Sequence, residues 1–123
     1  MIQGIDHIDI AVDDVEATAA FFRAFGCTEV KRSDHAGLSI ELRLPGENQP
    51  IIELTGTRRP NGKVFPAGVR HIAFRSDDIK ATHAALLAKG VTLDGAPKMI
   101  NGRMLMNAID PAGKSSVQVV EEP

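Results

Sequence analysis

The first half of this chain predicts its second half. Shifted by 64 positions, residues 4–30 align with residues 68–94 without a gap. Eleven of the 27 aligned pairs are identical, where about two are expected from ordinary residue usage. The identical pairs include His7 with His71 and Gly26 with Gly90. A repeat of this length exceeds the units of solenoid proteins, so it indicates two copies of one supersecondary module.

Alternation and helical spacing predict the same β-α-β-β-β order in both copies. The first copy has alternating or apolar segments at 7–12, 28–31, 38–44 and 50–55, with a helix over 13–26. The second has them at 70–76, 91–93, 104–109 and 116–120, with a helix ending at Gly90. We therefore expect an α+β fold of two tandem βαβββ modules forming a curved sheet with a cavity. The predicted boundaries are 1–57 for module one, 58–67 for a linker and 68–123 for module two.

Acidic residues mark the beginning of each predicted helix. Asp13-x-x-Glu16 has the spacing of a capping box, which predicts that Asp13 begins the first helix. Asp77 or Asp78 begins the second helix in the same way. In the first helix, the apolar stripe that should face the core consists of Val15, Ala19, Phe22 and, as a further candidate, Phe25. In the second it consists of Ile79, Ala84, Leu86 and Leu87.

The composition argues against nucleic acids, membranes and flat aromatic ligands as partners. The chain has 123 residues, 43% of them hydrophobic, and a net charge of -2, which gives no electrostatic footprint for nucleic acid or an anionic membrane. No stretch approaches the ~20 apolar residues of a membrane span. Trp and Tyr are absent, which argues against stacking of bases or flat aromatic ligands. Because Cys27 is the single cysteine, it has no intramolecular disulfide partner and is expected to pack. We expect a cytoplasmic protein with a small-molecule substrate.

Strand alternation places a histidine and an oxygen donor on the polar face of each module. His7 and Glu53 share this face in the first copy, and His71 and Gln118 share it in the second, if the second copy carries one extra residue near its last turn. Two imidazoles and one carboxylate are a frequent ligand set for a catalytic divalent ion, and a glutamine carbonyl would add a neutral oxygen. This donor set suits Ni, Co, Mn, Fe(II) or Zn without choosing among them.

A structural role for each of these residues is the competing interpretation. A lone histidine on a half-buried strand is usually a hydrogen-bonded structural residue. Glu53 and Gln118 have equally ordinary alternatives as solvated strand residues. Recurrence at the same module position is what favours a metal role for His7 and His71. His35, in a turn, and His83, on a helix, have no such support.

Several segments together resemble the vicinal oxygen chelate superfamily, which includes glyoxalase I, methylmalonyl-CoA epimerase, extradiol dioxygenases and the fosfomycin- and bleomycin-resistance proteins. The segments are Asp6-His7-Ile8-x-Ile10-x-Val12, the 13–26 helix, Ile52-Glu53-Leu54, His71-Ile72-Ala73-Phe74 with Asp77-Asp78-Ile79, and Asp110-Pro-x-Gly113. The resemblance covers almost the whole chain and implies paired βαβββ modules. It also implies a glyoxalase-type ligand set of His7, Glu53, His71 and Gln118. The 18-residue gap from Glu53 to His71 is similar to that in small bacterial glyoxalase I proteins, which implies a homodimer.

Position 118 departs from the family pattern. The usual residue there is a glutamate that acts as both ligand and base, whereas a glutamine accepts no proton at neutral pH. Glu121 is an alternative fourth ligand, although alternation places it on the opposite face. A proton-transfer reaction therefore needs another base, for which Glu41 is the first candidate and Asp9 the second. An ordinary surface pairing of Glu41 with Arg43 is the alternative. Glu41 and Glu53 are thus the predicted catalytic residues.

Arginine side chains offer a site for an anionic substrate. By strand alternation, Arg43 and Arg75 lie on the same polar face as the histidines. They are the predicted substrate-binding residues. Further basic residues are predicted in loops around the opening, namely Arg58, Arg59, Lys98 and Arg103. A solvated basic rim without a ligand is the competing interpretation.

Three functions are compatible with this pattern. The first is a metal-dependent isomerase, epimerase or lyase acting on a small, oxygen-chelating and anionic substrate. The second is a metal-free binding protein of the bleomycin-resistance type, against which the two histidines and the missing Trp and Tyr count. The third is a dioxygenase-like iron enzyme. In that class the carboxylate ligand lies on the last strand, where this chain has Gln118, which counts against this function. The first is the function that the residues favour.

Overall fold

The computed structural model describes residues 1–34, 37–112 and 116–122. The elements in chain order are β1 (Ile2–Val12), α1 (Val15–Arg23), β2 (Thr28–Ser33), β3 (Ser39–Arg43), β4 (Ile51–Gly56), β5 (Gly68–Ser76), α2 (Ile79–Ala88), β6 (Thr92–Leu93), β7 (Lys98–Ile100), β8 (Arg103–Ile109) and β9 (Ser116–Glu121). This mixed order confirms the predicted fold class, two βαβββ modules. The second module has one additional short strand, β7.

The chain divides into two compact units. The amino-terminal unit is His7–Arg70, and the carboxy-terminal unit combines Met1–Asp6 with His71–Pro123. The division therefore falls within β1 and within β5. In the amino-terminal unit the strand order is β2-β3-β4-β1, and in the carboxy-terminal unit it is β5-β9-β8-β6, with β7 paired to β8.

In the amino-terminal unit, α1 covers one face of the sheet. The buried cluster consists of Val15, Ala19, Cys27, Ile40, Leu42 and Leu54. Removing each large aliphatic side chain from water contributes about 1.5–3 kcal/mol before entropy is counted. The burial of Cys27 confirms its expected packing role. Phe25 does not join this core, because α1 ends at Arg23 and the Phe25 ring is 66% exposed.

The carboxy-terminal unit has a smaller core under α2. Ile79, Met106 and Val119 are its buried members. The predicted apolar stripe of α2 is wrong at Ala84 and Leu87, which are exposed. Thr82 is buried instead, and its hydroxyl lies 2.8 Å from that of Ser76, so a polar pair occupies part of the helix–strand contact.

Asp14 and Asp78 are the N-caps of the two helices. The Asp14 carboxylate accepts a hydrogen bond from the Ala17 amide at 3.0 Å, and the Asp78 carboxylate accepts one from the Ala81 amide at 3.1 Å. The prediction that Asp13 begins α1 is therefore wrong by one residue. Asp13 instead accepts a 2.6 Å hydrogen bond from the Thr57 hydroxyl, which ties the end of β1 to the end of β4.

Each module pairs its first and last strands in parallel, and the two registers are equivalent. In the first module Asp9 lies beside Glu53. In the second, Ala73 lies beside Gln118. Because Ala73 follows Asp9 by 64 positions in the repeat, the register makes Glu53 and Gln118 equivalent. This confirms that the second copy is one residue longer between these two strands, although part of the last turn, where the extra residue was expected, lies outside the described residues.

The segment predicted as a linker forms a short hairpin on the amino-terminal unit. Arg58 forms a β-bridge with Val64, and the Arg59 amide donates to the Lys63 carbonyl. The Phe65 amide then donates to the Thr57 carbonyl at 2.7 Å. This bond fixes Phe65 next to the end of β4.

A second hairpin joins β7 to β8 and was missed by sequence reasoning. Asn101 and Gly102 both have positive φ, 50° and 83°, as a two-residue primed turn requires. Lys98 and Arg103 therefore lie on strands, and their placement in loops is wrong. The Arg103 guanidinium donates to both oxygens of Asp6 at 3.0 Å and also to the Glu121 carbonyl, so it is a structural clamp of the carboxy-terminal unit.

Two sequence features lie outside the described residues. His35, predicted in a turn, is one, and Gly113 of the Asp110-Pro-x-Gly113 motif is the other. Within the described part of the chain, neither helix is long and apolar enough to cross a membrane.

The N-cap assignment predicts equal effects in both modules. Asp14→Ala and Asp78→Ala should each lower the free energy of unfolding by about 1 kcal/mol, because each removes an acceptor from a helix N-terminus. Urea denaturation measures this loss. Lys80→Ala, on the exposed face of α2, is the matched control and should change stability by less than about 0.5 kcal/mol. Equal stability of Asp14→Ala and the parent protein would contradict the assignment.

Candidate metal centre

A row of carboxylates crosses the face of the amino-terminal unit that α1 leaves uncovered. Glu53 on β4 lies between Asp9 on β1 and Glu41 on β3 in the register of the sheet. Lys31 on β2 continues the same row beyond Glu41. Like charges placed directly side by side destabilise a sheet, so this row of carboxylates costs the fold stability.

His7 and Glu53 bring a nitrogen and an oxygen ligand together on this face. They come from the paired strands β1 and β4, and their ligand atoms lie within 4.8 Å of each other. Both side chains are half-buried. Parallel pairing of the two strands fixes this approach, because residues of the same parity project to the same side.

The environment of Glu53 disfavours its negative charge. Burial is the main cause that raises the pKa of Glu53, and the neighbouring carboxylates of Asp9 and then Glu41 raise it further. His7 acts in the opposite direction, as does the Ser39 hydroxyl, which donates to Glu53 Oε2 at 3.3 Å. A buried carboxylate in this state gains much from a cation.

Asp9 is fixed by donors from two elements. Only 1% of its surface is exposed. The Thr55 hydroxyl donates to Oδ1 at 2.8 Å, and the Arg70 guanidinium donates to Oδ2 at 3.0 Å. The Arg70 guanidinium also lies over the ring of Phe65, 4.8 Å from its centroid. The hairpin that carries Phe65 thereby holds Arg70 against Asp9.

In the carboxy-terminal unit, His71 and Gln118 occupy neighbouring strands. His71 on β5 is buried, with 7% of its surface exposed. Gln118 on β9 is half-buried and lies between Ala73 and Asn107 in the sheet register. Glu121 faces the helix instead, because its carboxylate accepts a 3.2 Å hydrogen bond from the Ile79 amide at the start of α2. This contact gives Glu121 a helix-capping role.

The other predicted site residues have distinct surroundings. Glu41 is half-buried and adjoins Glu53. Arg43 is exposed at the end of β3. Arg75 forms an ion pair with Glu122 at 3.4 Å within the carboxy-terminal unit. Substrate binding by these two arginines stays a prediction.

The donor set fits a divalent metal. Imidazole nitrogens with a carboxylate oxygen suit first-row divalent ions, and the raised pKa of Glu53 is the electrostatic property expected of a carboxylate built to hold a cation.

Sequence reasoning missed two residues of this face. Ser39 was given no role from the sequence, and its hydroxyl donates to Glu53. Arg70 was missed because alternation groups it with Ile72 and Phe74 rather than with His71. Its signal was indirect, since a buried aspartate at position 9 requires a cationic or hydrogen-bonding partner.

Comparison with protein families identifies one match. The model described as "Glyoxalase/Bleomycin resistance protein/Dioxygenase superfamily" matches residues 4–114. That span includes His7, Glu53 and His71. Among curated protein sequences, no relative of this chain is found.

Solved structures share the fold over the whole length. The methylmalonyl-CoA epimerase of Mycobacterium tuberculosis has a TM-score of 0.78 at 21% identity, covering 99% of this chain and 89% of the epimerase. A variant of the Streptomyces coelicolor methylmalonyl-CoA epimerase in complex with 2-nitronate-propionyl-CoA has a TM-score of 0.74 at 21% identity, covering 99% of both chains. A methylmalonyl-CoA epimerase in complex with methylmalonyl-CoA and NH4+ has a TM-score of 0.73 at 21% identity, covering 99% of this chain and 96% of that one. At these identities the likeness shows a common fold.

The raised pKa of Glu53 predicts a stabilising substitution in the metal-free protein. An acid whose pKa is higher in the folded than in the unfolded state costs stability once it ionises. This cost is absent below the ordinary pKa of 4.5 and complete above the raised pKa. Glu53→Gln should therefore raise the melting temperature at pH 7 and leave it unchanged at pH 4.

Thermal unfolding in the presence of a chelator, between pH 4 and pH 8, measures this difference. Glu47→Gln, at an exposed position outside the sheet, is the control and should shift the melting temperature little at either pH. Destabilisation by Glu53→Gln at pH 7 would contradict this prediction, because it would show that the negative charge of Glu53 does not lower the stability of the folded protein.

Proposed function

Because the chain belongs to the glyoxalase/bleomycin resistance protein/dioxygenase superfamily, we propose that it is a metal-dependent isomerase or epimerase that moves a proton next to a carbonyl group. The pairing of His7 with Glu53 is the observation that carries this proposal. Burial and the neighbouring carboxylates disfavour the negative charge of the half-buried Glu53, and His7 offsets this only in part. The Glu53 carboxylate gains a benefit when a divalent cation binds.

The proposed ligands are His7, Glu53 and His71, with the Gln118 amide oxygen as a fourth donor. The two histidines occupy equivalent positions of the repeat, and so do Glu53 and Gln118. When bound, a divalent ion supplies Lewis acidity to a substrate that chelates it through two oxygens. The donor set suits Ni, Co, Mn, Fe(II) or Zn.

Glu41 is the proposed base. Glu53 serves as a ligand, and Gln118 accepts no proton at neutral pH. Glu41 is half-buried beside Glu53 and on the same face. In the proposed step the Glu41 carboxylate takes the proton from the carbon next to the substrate carbonyl. The proton then returns to the same or the neighbouring carbon, so that the reaction is redox-neutral and needs no co-substrate.

The proposed substrate carries an anionic group and two oxygen atoms placed so that both can bind the same metal ion. Arg43, exposed at the end of β3, is available to a carboxylate or phosphate group. Methylmalonyl-CoA, which is named as a ligand of one structurally similar epimerase, combines a carboxylate with a thioester carbonyl. It is therefore the first compound to test.

Metal binding tests the ligand set. The protein should bind about one equivalent of Co2+ or Ni2+ per chain after chelator treatment, and His7→Ala/His71→Ala should lose this binding, because two of the three strong ligands are gone. Isothermal titration calorimetry and metal analysis measure it. His83→Ala, on α2, is the matched histidine control and should bind as the parent does. Equal binding by the double variant would exclude this ligand set.

Isotope exchange tests the chemistry. In D2O the metal-loaded protein should incorporate one deuterium into methylmalonyl-CoA at the carbon between the two carbonyl groups, as followed by mass spectrometry. Glu41→Gln should slow this exchange by about 10²–10⁴-fold, because the base is removed, while metal binding persists. Unchanged exchange in Glu41→Gln would assign the base elsewhere.

A further inference from the structure

The two modules differ in charge at equivalent positions. The first carries Asp9 beside Glu53, and the second carries Ala73 beside Gln118. Asp9 and Ala73 are both almost completely buried. An apolar side chain therefore satisfies this position in the second module, and packing alone does not explain an aspartate in the first.

Asp9 is held in one orientation. Oδ1 accepts from Thr55 on β4, and Oδ2 accepts from Arg70 on β5, at 2.8 and 3.0 Å. These donors occupy both oxygens of a carboxylate with 1% exposure. Such a group is poorly placed to collect a proton from a substrate, which argues against Asp9 as the second candidate base.

The negative charge of Asp9 is balanced unevenly. The Arg70 side chain is 32% exposed, whereas the Asp9 side chain is 1% exposed. Water therefore screens the guanidinium more than the carboxylate. On the buried side the field of Asp9 acts on its neighbour Glu53 in the sheet row, where a second anion is unfavourable unless a cation is present.

We propose that Asp9 is a positioning residue that supplies a fixed second negative charge to the divalent-cation site. Glu53 is the one charged ligand of the proposed set, since Gln118 is neutral. Glu41 flanks Glu53 on one side of the sheet row, and Asp9 adds a fixed carboxylate on the other side without touching the ion. Thr55 and Arg70, the latter steadied by Phe65, keep this charge in place. The inference rests on the proposed function, because it presupposes the His7, Glu53 and His71 site.

Removing the charge should weaken cation binding. Asp9→Asn should lower the affinity for Co2+ by about 10–100-fold, as loss of a partner behind the ligands typically does. Titration calorimetry and the visible absorption of bound Co2+ measure this directly. Asp13→Asn is the matched control, because Asp13 also accepts from a threonine of the same unit, Thr57, but lies outside the row. It should bind Co2+ as the parent protein does.

A double variant separates charge from folding. In Asp9→Asn alone, Arg70 loses its anionic partner and the fold is expected to weaken. Asp9→Asn/Arg70→Met removes both charges and should recover much of the melting temperature of the metal-free protein, while its Co2+ affinity stays about 10–100-fold low. Recovery of parental Co2+ affinity in the double variant would overturn the inference, since Asp9 would then serve only as the partner of Arg70.

The outcomes distinguish the two proposals. If the parent protein binds no Co2+, or binds it equally after His7→Ala/His71→Ala, the proposed metal function fails and this inference fails with it. If the parent binds Co2+ through the histidines and Asp9→Asn binds with unchanged affinity, the metal function stands and only the role of Asp9 is wrong. If Co2+ affinity falls in Asp9→Asn and in the double variant but not in Asp13→Asn, both the metal function and the role of Asp9 are supported.

Discussion

Parallel pairing of the first and last strands of each module is the constraint on which the rest depends. It places Ile10 beside Leu54 in the first module and Phe74 beside Val119 in the second. Because side chains alternate along a strand, this register sends apolar residues to the helix side and polar residues to the other. A slip of one residue would bury the carboxylates under the helix.

The electrostatic cost of placing polar residues side by side on one face is concentrated in the first module. Asp9, Glu53 and Glu41 lie side by side, and the pKa of Glu53 rises because burial and these neighbours disfavour its charge. The surrounding groups relieve the stress in part. Ser39 donates to Glu53, while Thr55 and Arg70 donate to Asp9. A bound cation, as proposed, would relieve it further.

The sequence predicts what the repeat and the alternation encode. Both helices, the paired modules and the shared parity of His7 and Glu53 follow from local pattern. The choice of Asp14 over Asp13 as N-cap does not, because the capping-box spacing to Glu16 favours Asp13, whereas the backbone path makes Asp14 the N-cap. The β7–β8 hairpin had a local signal in Asn101-Gly102, which was overlooked.

Long-range partners had no local signal. Arg70 reaches Asp9 across 61 positions, and Arg103 reaches Asp6 across 97. Both arginines look like solvated basic residues until the fold supplies an acidic partner. For the site, strand alternation was enough to group His7 with Glu53, but it could not show that Asp9 is fixed by Thr55 and Arg70 or that Glu121 is engaged at the start of α2.

The central claim is that this face holds a divalent ion through histidine and carboxylate ligands. X-ray absorption spectroscopy of the Co2+-loaded protein tests it most directly. We expect a first shell with two imidazole nitrogens, visible through the scattering of their outer ring atoms, and oxygen donors at about 2.0–2.2 Å. A first shell of oxygen atoms without imidazole scattering would contradict it, because the ion would then be bound by surface carboxylates and water.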